Sequence, residues 1–448
     1  MAEHPASVED LALELGSDAM SFLAVETGMQ HWIDDGTDGT GACVAYVATP
    51  GAWVAACAPL APDGQHRRAA ERFVAAARRA GRRASFFATE SLAVEGMTRV
   101  LVGEQPLFAP ARWLDELARR RGLREQLRRA RAKGVRARLV AAGELGEGNE
   151  LRVAVDALGR RWLRHRHLEP LGFLASIEPF HHPERHRYVI AEHRDRLVGF
   201  LSATPMRRGH GWLVEDVFRD RTAPSGTTET LLHALMVAVR DDETVTLGLT
   251  PLAGPVAWPL RAARWLSRPL YDFAGLRAFR ERMHPGAWQP VYLVHPRRES
   301  STLHFVAVLQ AFARGSLIGF ALRSFARHPS GLPWALALPL PAWTLALAWL
   351  AIVHRASLLG FPAAELGLWA AFDALLLLVL VRVAMRPLRS RLVVATSLAA
   401  FDALLSLGHL AWVGLGVTFL QASLRGVATL APTVGTLLLA WATSQASG

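Results

Sequence analysis

Apolar positions along this chain fall into two patterns that change over near residue 330. Before that point, short apolar runs alternate with amphipathic stretches. Gly41 to Ala48 and Ala52 to Ala58 read as strands around a turn at Pro50–Gly51. Gln65 to Ala80 predicts a helix with an arginine-rich face, closed by Gly81, and Ala84 to Ala88 the next strand. Pro110 to Lys133 predicts one long helix ending at Gly134, and Leu151 to His165 another. Tyr188 to His193 and Arg196 to Ala203 predict a hairpin around Arg194–Asp195, followed by a strand at Gly211 to Phe218. A helix over Thr227 to Val239 and a strand over Thr244 to Leu249 follow. Residues 188 to 250 thus run β-β-β-loop-α-β, and residues 41 to 88 repeat a shorter version. Such alternation predicts a mixed α/β head.

The second pattern is almost uniformly apolar. The last 118 residues hold only nine charged ones. Pro333 to Val353, Pro362 to Val381, Leu392 to Leu420 and Val427 to Thr443 read as four membrane spans. The loop from Arg382 to Arg391 carries four arginines, while the loops on the other side carry Arg355 and Arg425, one each. The positive-inside bias then places Arg382–Arg391 and both termini in the cytoplasm. Met1 to Asp18 is acidic and has no basic-then-apolar targeting pattern. Two spans share Phe-Asp-Ala-Leu-Leu, at Phe372–Leu376 and Phe401–Leu405. Acids inside a span are costly, so Asp373 and Asp402 either line a polar path or pack against helix partners. Between head and spans, Thr302 to His328 interleaves apolar residues such as Leu303, Phe312 and Phe325 with Arg314, Arg323 and Arg327. That suits an interfacial helix or a helix capping the head. Trp258, Arg261, Arg264, Trp265 and Arg268 form a similar aromatic-basic stretch.

Charge sharpens this division. Basic residues number 50 and acidic ones 39, a formal net charge of +11, and Lys133 is the single lysine. Hydrophobic residues make up 51% of a chain that is 20% charged, which excludes a wholly soluble protein and a disordered one. Cys43 and Cys57 are too few for a disulfide scaffold and suit a reducing compartment. The span Arg119 to Arg138 is dense in cations, and Arg124, Arg128, Arg131 and Lys133 are its candidate contacts to RNA phosphate or anionic headgroups. His181, His182 and His186, with His165 and His167 upstream, suggest a metal, but Pro183 interrupts the spacing and none is expected. No phosphate-cradling Gly-x-x-x-x-Gly-Lys, nucleophile elbow or Cys-x-x-Cys pair occurs.

The loop Arg219-Asp220-Arg221-Thr222-Ala223-Pro224-Ser225-Gly226-Thr227-Thr228-Glu229 is where chemistry points. A strand feeding a glycine loop onto a helix N-terminus offers backbone N–H groups to an anion, and Arg219 and Arg221 add phosphate-matching forks. An ordinary cap at Ser225 or Thr227 explains the same residues. On the preceding strand, Glu215 or Asp216 can orient an ammonium or take a proton. Strict alternation lets only one face the cleft, and Asp216 is the choice. Glu229 in the first helical turn also suits dipole compensation.

Val214-Glu215-Asp216-Val217-Phe218-Arg219, the Ala-Pro-Ser-Gly-Thr-Thr-Glu run at 223–229 and Leu247-Gly248-Leu249-Thr250-Pro251-Leu252 come in order. They resemble the C-terminal catalytic domain of phosphatidylglycerol lysyltransferases, also called lysyl-phosphatidylglycerol synthases. Tyr271–Phe279, Pro285–Leu293 and the basic stretch Leu123–Val135 extend the resemblance over roughly residues 10 to 298. It implies two tandem GNAT-like acyltransferase domains, at 1–108 and 109–300; the apolar pattern adds an interfacial linker at 301–330 and an α-helical transmembrane bundle at 331–448. It also implies transfer of an amino acid, lysine or a related one, from aminoacyl-tRNA to the hydroxyl of an anionic phospholipid, with no further cofactor. Asp216, Arg219 and Glu229 fall on the family's catalytic positions. Glu215, Arg221, Ser225, Gly226, Thr227 and Gly248 are the substrate-binding set. Ser225 and Glu229 replace the family's Asn and Asp, Arg280 stands near a usual lysine, and the spans follow the domain instead of preceding it. An acyl-CoA-dependent enzyme using the same loop for pyrophosphate, and a non-catalytic membrane-anchored protein, are the rival expectations.

Overall fold

The computed structural model describes the chain except for residues 1–6, 35–40, 165–169, 208–209, 267–270, 318, 321–322, 325–331, 338–339, 353–362, 386–388, 414–418 and 446–448. Two units separate, Met1–Phe320 and Ala321–Gly448.

The first unit is built on one mixed sheet of twelve strands. They are β1 (Gln30–Asp34), β2 (Ala42–Ala48), β3 (Ala52–Ala56), β4 (Arg83–Thr89), β5 (Met97–Phe108), β6 (Val135–Val140), β7 (Arg187–His193), β8 (Arg196–Pro205), β9 (Gly211–Arg219), β10 (Thr244–Thr246), β11 (Thr250–Pro251) and β12 (Ala287–Pro296). The order is β1-β2-β3-β4-β12-β5-β10-β9-β8-β7-β6, with β11 added to β5. Strand β12 returns from late in the chain to lie between β4 and β5 and pairs with β5 from Ala287↔Leu107 to Pro296↔Met97. The two expected domains therefore share a sheet, and the boundary expected at residue 108 is the end of a central strand. Sequence patterning missed both of these strands. Gly103 and Pro106 interrupt β5, and Pro290 interrupts β12. Gly103 is there because β11 crosses it: a Cβ would lie 2.2 Å from the Thr250 carbonyl oxygen.

The helices follow their apolar stripes. In α2 (His66–Arg79), Ala69, Ala70, Phe73, Val74 and Ala77 are buried and the arginines face outward. The Phe73 ring meets Trp32, Tyr46, Trp53 and Phe86 at 5.5–5.7 Å between centroids. Truncating it to alanine costs about 3–5 kcal/mol. The long helix expected over 110–133 is two, α3 (Pro110–Leu117) and α4 (Arg121–Ala132). They bury different anchors: α3 turns Trp113 inward, its indole N–H donating to the Met283 carbonyl at 2.6 Å, and α4 buries Leu123, Leu127 and Ala130. The break falls at the cationic triplet Arg119–Arg121. Then come α5 (Glu150–Arg164), α6 (Thr227–Ala238), α7 (Trp258–Leu266), α8 (Phe273–Arg282) and α9 (Ser301–Phe312). Helix α9 begins the stretch expected as an interfacial linker, and it packs on the head. Ala307, Val308 and Ala311 are buried, and Phe312 meets Phe87 and Phe173 at 5.5 Å. Phe325 and Arg327 lie outside the described residues.

The second unit is helical: α10 (Leu332–Ala337), α11 (Leu340–Ile352), α12 (Ala363–Met385), α13 (Arg389–Val413) and α14 (Phe419–Gln445). Two helices, at Leu366–Ala384 and Ser390–Ala411, are long and apolar enough to cross a membrane. In the other two expected spans, α11 and the apolar stretch Ala428–Trp441 are shorter. Arg355 and Arg386 lie outside the described residues.

Candidate active site

Strand β9 carries the acids, and its pairing with β8 is irregular. Ser202 pairs with Asp216 and Ala203 with Val214, so Glu215 is the extra residue of a β-bulge. A bulge breaks strand alternation. The expectation that only one of Glu215 and Asp216 faces the cleft is thereby corrected. Both carboxylates, with that of Glu178, help raise the pKa of the same buried residue, Glu26, which burial above all pushes up to about 9. Glu26 follows the short 3-10 helix Ser21–Val25; the buried Ser176 hydroxyl beside it partly offsets the rise, and neither carboxyl oxygen is in close hydrogen-bond geometry with a described residue. Asp216 is 6% exposed and its Oδ2 is likewise unpartnered. Burial first, and then the neighbouring Glu215 charge, hold its pKa well above the usual carboxylate range.

His186 closes this cluster. Its ring stacks on Tyr188 at 5.6 Å, Nδ1 donates to the His182 carbonyl at 2.8 Å, and Nε2 lies 3.4 Å from Glu215 Oε2. Thr27 N–H donates to Glu178 Oε2 at 3.4 Å. Four carboxyl groups thus gather here, Glu26 and Asp216 buried with three unpartnered oxygens and Glu178 and Glu215 half-buried. Such a place is stable when it holds protons or when an ammonium replaces them.

The sheet opens beside the acids. Strands β9 and β10 run parallel only over Gly211–Leu213 and Thr244–Thr246, and β9 then continues to Arg219 paired with β8 but without β10. Parting strands leave a crevice at their carboxyl ends, where α/β folds bind ligands. Gly248, at φ +70°, turns the chain from β10 to β11. Arg280 of α8 reaches into that turn, donating to the Gly248 carbonyl at 2.8 Å, to Thr250 Oγ1 at 2.5 Å and to the Leu247 carbonyl. Burial lowers its pKa to about 10.

The loop before α6 is arranged otherwise than its sequence suggested. Gly226 caps α6 at φ +94°, and a Cβ there would lie 2.9 Å from both the Gln126 carbonyl oxygen and the Ala130 methyl of α4. The Cβ side of this glycine is taken by α4. Gln126 Nε2 donates to Glu229 Oε1 at 2.7 Å, so Glu229 fastens α4 to α6 and does not join the acid cluster. The Thr227 hydroxyl donates to the Pro224 carbonyl at 2.7 Å. Arg219, Arg221 and Ser225 are exposed. Beyond the bulge Phe218 packs with Phe200 and Trp162, while Val217 faces the α6 core. Arg219, two residues past Val217, projects to that α6 side, away from Phe218. The sequence-derived set therefore divides: Glu215 and Asp216 come together, while Arg219 and Glu229 stand apart from them.

Helix α4 presents Arg121, Arg124, Arg128, Arg129, Arg131 and Lys133 on its exposed face against one acid, Glu125. Glu125 binds Arg128 and Arg129 at 2.8–2.9 Å, and these bonds pull its pKa to about 2. Arg124 donates to the Ala118 carbonyl, and an Arg131 guanidinium nitrogen lies 3.5 Å from His233 Nδ1. The histidines go to separate partners: His181 Nε2 sits 2.8 Å from the Val25 carbonyl, and His182 Nδ1 sits 2.9 Å from Glu9. Glu9, His182 and Glu184 lie near enough together to hold an ion, although Arg185 already binds Glu9 at 2.6 Å. His165 and His167 lie outside the described residues.

The family model for phosphatidylglycerol lysyltransferase, C-terminal, matches residues 10–295. The chain belongs to this family. It is a transferase with a mixed α/β fold and a C-terminal helical extension outside the matched region. Among solved structures, the C-terminal domain of a putative lysylphosphatidylglycerol synthetase from Agrobacterium fabrum is 19% identical at a TM-score of 0.57, covering 69% of this chain and 99% of that one. L-PGS from Bacillus licheniformis is also 19% identical at 0.57, covering 68% and 96%. No match is found among curated proteins. In this phosphatidylglycerol lysyltransferase-family enzyme, sequence reasoning missed Glu26 and Glu178, weighed His186 only as a metal ligand and gave Arg280 no role. The one signal was a lone acid beside apolar residues, after Phe22–Val25 and again between Ile177 and Pro179.

Proposed function

We propose that this enzyme moves an amino acid, with lysine favoured, from aminoacyl-tRNA to the hydroxyl of an anionic phospholipid such as phosphatidylglycerol. The observation that carries the reading is the cluster of Glu26, Glu178, Glu215 and Asp216 with its unpartnered oxygens. A donor with two ammonium groups suits four carboxyl groups better than a neutral side chain does. Glu26, Glu178 and Glu215 hold the ammonium groups. The lipid hydroxyl oxygen attacks the ester carbonyl carbon, and the bond to the ribose oxygen breaks. Asp216 takes the hydroxyl proton and returns it to that leaving oxygen. Arg280 positions the β10–β11 turn at the crevice. The exposed cations of α4, with Arg219 and Arg221, meet the polyanionic substrates. Helices α12 and α13 anchor the enzyme in the cell membrane with the head on the cytoplasmic side, and α7, whose Trp258 and Trp265 are 72% and 67% exposed, suits the headgroup layer.

The deciding experiment supplies the full chain in phosphatidylglycerol vesicles with radiolabelled lysyl-tRNA and follows label into lipid. Labelled lipid that disappears in Asp216→Asn supports the reading. No labelled lipid with any aminoacyl-tRNA, together with turnover of acyl-CoA, sinks it.

A further inference from the structure

Upstream of Glu178 the chain holds two consecutive non-glycine residues in the left-handed region, Phe173 at φ +46° and Leu174 at φ +51°. Bulky side chains adopt that conformation at a cost, and it persists only where the surroundings fix it. Both residues are buried. Helix α9 supplies the surroundings. Gly172 N–H donates to the Phe312 carbonyl at 2.9 Å, filling an acceptor that a helix leaves open at its C-terminal end. The Phe312 ring meets Phe173 and Phe87 at 5.5 Å each, and Phe173 meets Phe87 at 6.2 Å, so three rings close on one another. Arg314 covers the same spot: a Cβ on Gly172 would lie 3.1 Å from its Cγ. Ala307, Val308 and Ala311 of α9 share one buried cluster with Phe173 and Leu174.

The strained pair leads directly into the acid cluster. Ser176, two residues on, is buried, and its hydroxyl bears on Glu26. Glu178 adds its charge at both Glu26 and Asp216. Residues 172–178 belong to no helix or strand, so no backbone ladder sets where Ser176 and Glu178 stand. Helix α9 itself follows the residues matched by the family model. We infer that α9 is a positioning element of the donor pocket. Phe312 and the helix end hold the left-handed pair Phe173–Leu174, and that pair sets Ser176 and Glu178 against Glu26 and Asp216. Phe312 acts through the loop and meets no reacting atom. The identity of the donor rests on the function proposed above; the grip of α9 on the loop does not.

The test uses the full chain in phosphatidylglycerol nanodiscs and two readouts, hydrogen exchange by peptide and steady-state transfer from lysyl-tRNA. Phe312→Ala is expected to speed exchange over residues 172–180 about tenfold or more, while β8 and β9 keep their protection. It is also expected to raise the KM for lysyl-tRNA about tenfold, the loss of one well-placed contact to charge. Turnover at saturating donor is expected to stay within about twofold. Phe312→Tyr keeps the ring and is expected to restore both. Should Phe312→Ala loosen the whole unit, Phe312→Leu decides, since it nearly keeps the volume and loses the ring contacts; it is expected to show both effects at smaller size. Unchanged exchange over 172–180 overturns the inference. So does a loosened loop with the donor KM intact, or a fall in turnover that the donor KM does not share, which is what a merely structural role gives. A protein inert toward lysyl-tRNA sinks the proposed function alone, and the exchange comparison then decides the inference by itself.

Discussion

The first unit holds the same β-loop-α-β device twice. One copy is β3, the loop Ala61-Pro62-Asp63-Gly64 and α2, ending in β4. The other is β9, the loop Ala223-Pro224-Ser225-Gly226 and α6, ending in β10. Both loops turn on a glycine in the left-handed region, at φ +82° and +94°. Their strands differ. β3 and β4 pair over five positions, and Cys57 N–H extends the seam to the Phe87 carbonyl at 2.7 Å. β9 and β10 pair over three and part. The acids differ in the same sense. In the sealed half, Asp18 accepts from Ala58 N–H at 2.7 Å and Glu90 N–H at 2.9 Å, and Glu90 accepts from Ala19 N–H, Gln105 and Gln289 at 2.6–2.8 Å. In the open half, Asp216 and Glu26 keep unpartnered oxygens. Buried acids whose acceptor sites are filled fasten backbone, and buried acids whose sites are empty await a ligand.

The comparison breaks most directly by exchanging charge for amide in each half. Asp216→Asn is expected to cut aminoacyl transfer by about 100- to 10 000-fold, the range of a lost proton-transfer group, with melting unchanged or raised. Asp18→Asn leaves one of two buried N–H donors without an acceptor. It is expected to cost about 1–3 kcal/mol of stability while the folded enzyme keeps its turnover. Thermal melting beside single-turnover transfer separates the two. Loss of turnover without loss of stability in Asp18→Asn would erase the distinction.

The glycines sharpen it next. Gly64 has open space where a Cβ would go, so Gly64→Ala is expected to cost about 1 kcal/mol for the backbone alone. At Gly226 the methyl also meets Gln126 and Ala130, and overpacking adds about 1–3 kcal/mol. Equal melting points for the two variants would mean that α4 does not press on the loop.

Protonation of the open half supplies a smaller, graded effect. Glu26 titrates near 9 in the empty protein, against 4.5 for an ordinary glutamate. Between those values unfolding releases its proton, so stability falls as pH rises through the window, by at most about 1.4 kcal/mol per unit, and levels off above 9. Holding an ammonium requires the carboxylate, so the KM for donor is expected to fall as pH rises from 6 to 8. Glu26→Gln is expected to flatten both slopes, measured by denaturant unfolding and by initial rates.

Much of this contrast was legible in the residues, and some was not. The repeated strand-helix alternation and the helix over 227–239 follow from turn chemistry and apolar spacing, while Asp216 was chosen on strand alternation and on the family motif. The bulge at Glu215 did not, because an extra residue in a strand leaves no composition signal. Glu26 and Glu178 were hidden because the fold brings them to Asp216 from 190 and 38 residues upstream. Glu229 and Arg219 sat on family positions, yet the described contacts give one to Gln126 and leave the other exposed. A position in a motif states a residue type, and its partner is decided by tertiary packing.

Helix α4 is the part that only the open half has, and its surface gives the smallest expected effect. Its inner face fills the loop, while its outer face keeps six cations against Glu125. Arg128 is held bidentately by that glutamate at 2.8 Å, so part of its charge is already spent. Arg128→Gln is expected to raise the KM for aminoacyl-tRNA by about two- to threefold near 0.15 M salt, and Arg124→Gln by somewhat more, both differences fading as salt rises. Neither is expected to change turnover at saturating donor, because the cations attract phosphate and touch no reacting atom. A fall in turnover with KM intact, insensitive to salt, would instead make α4 a positioning element acting through Gln126 and Glu229 on the strand that carries Asp216.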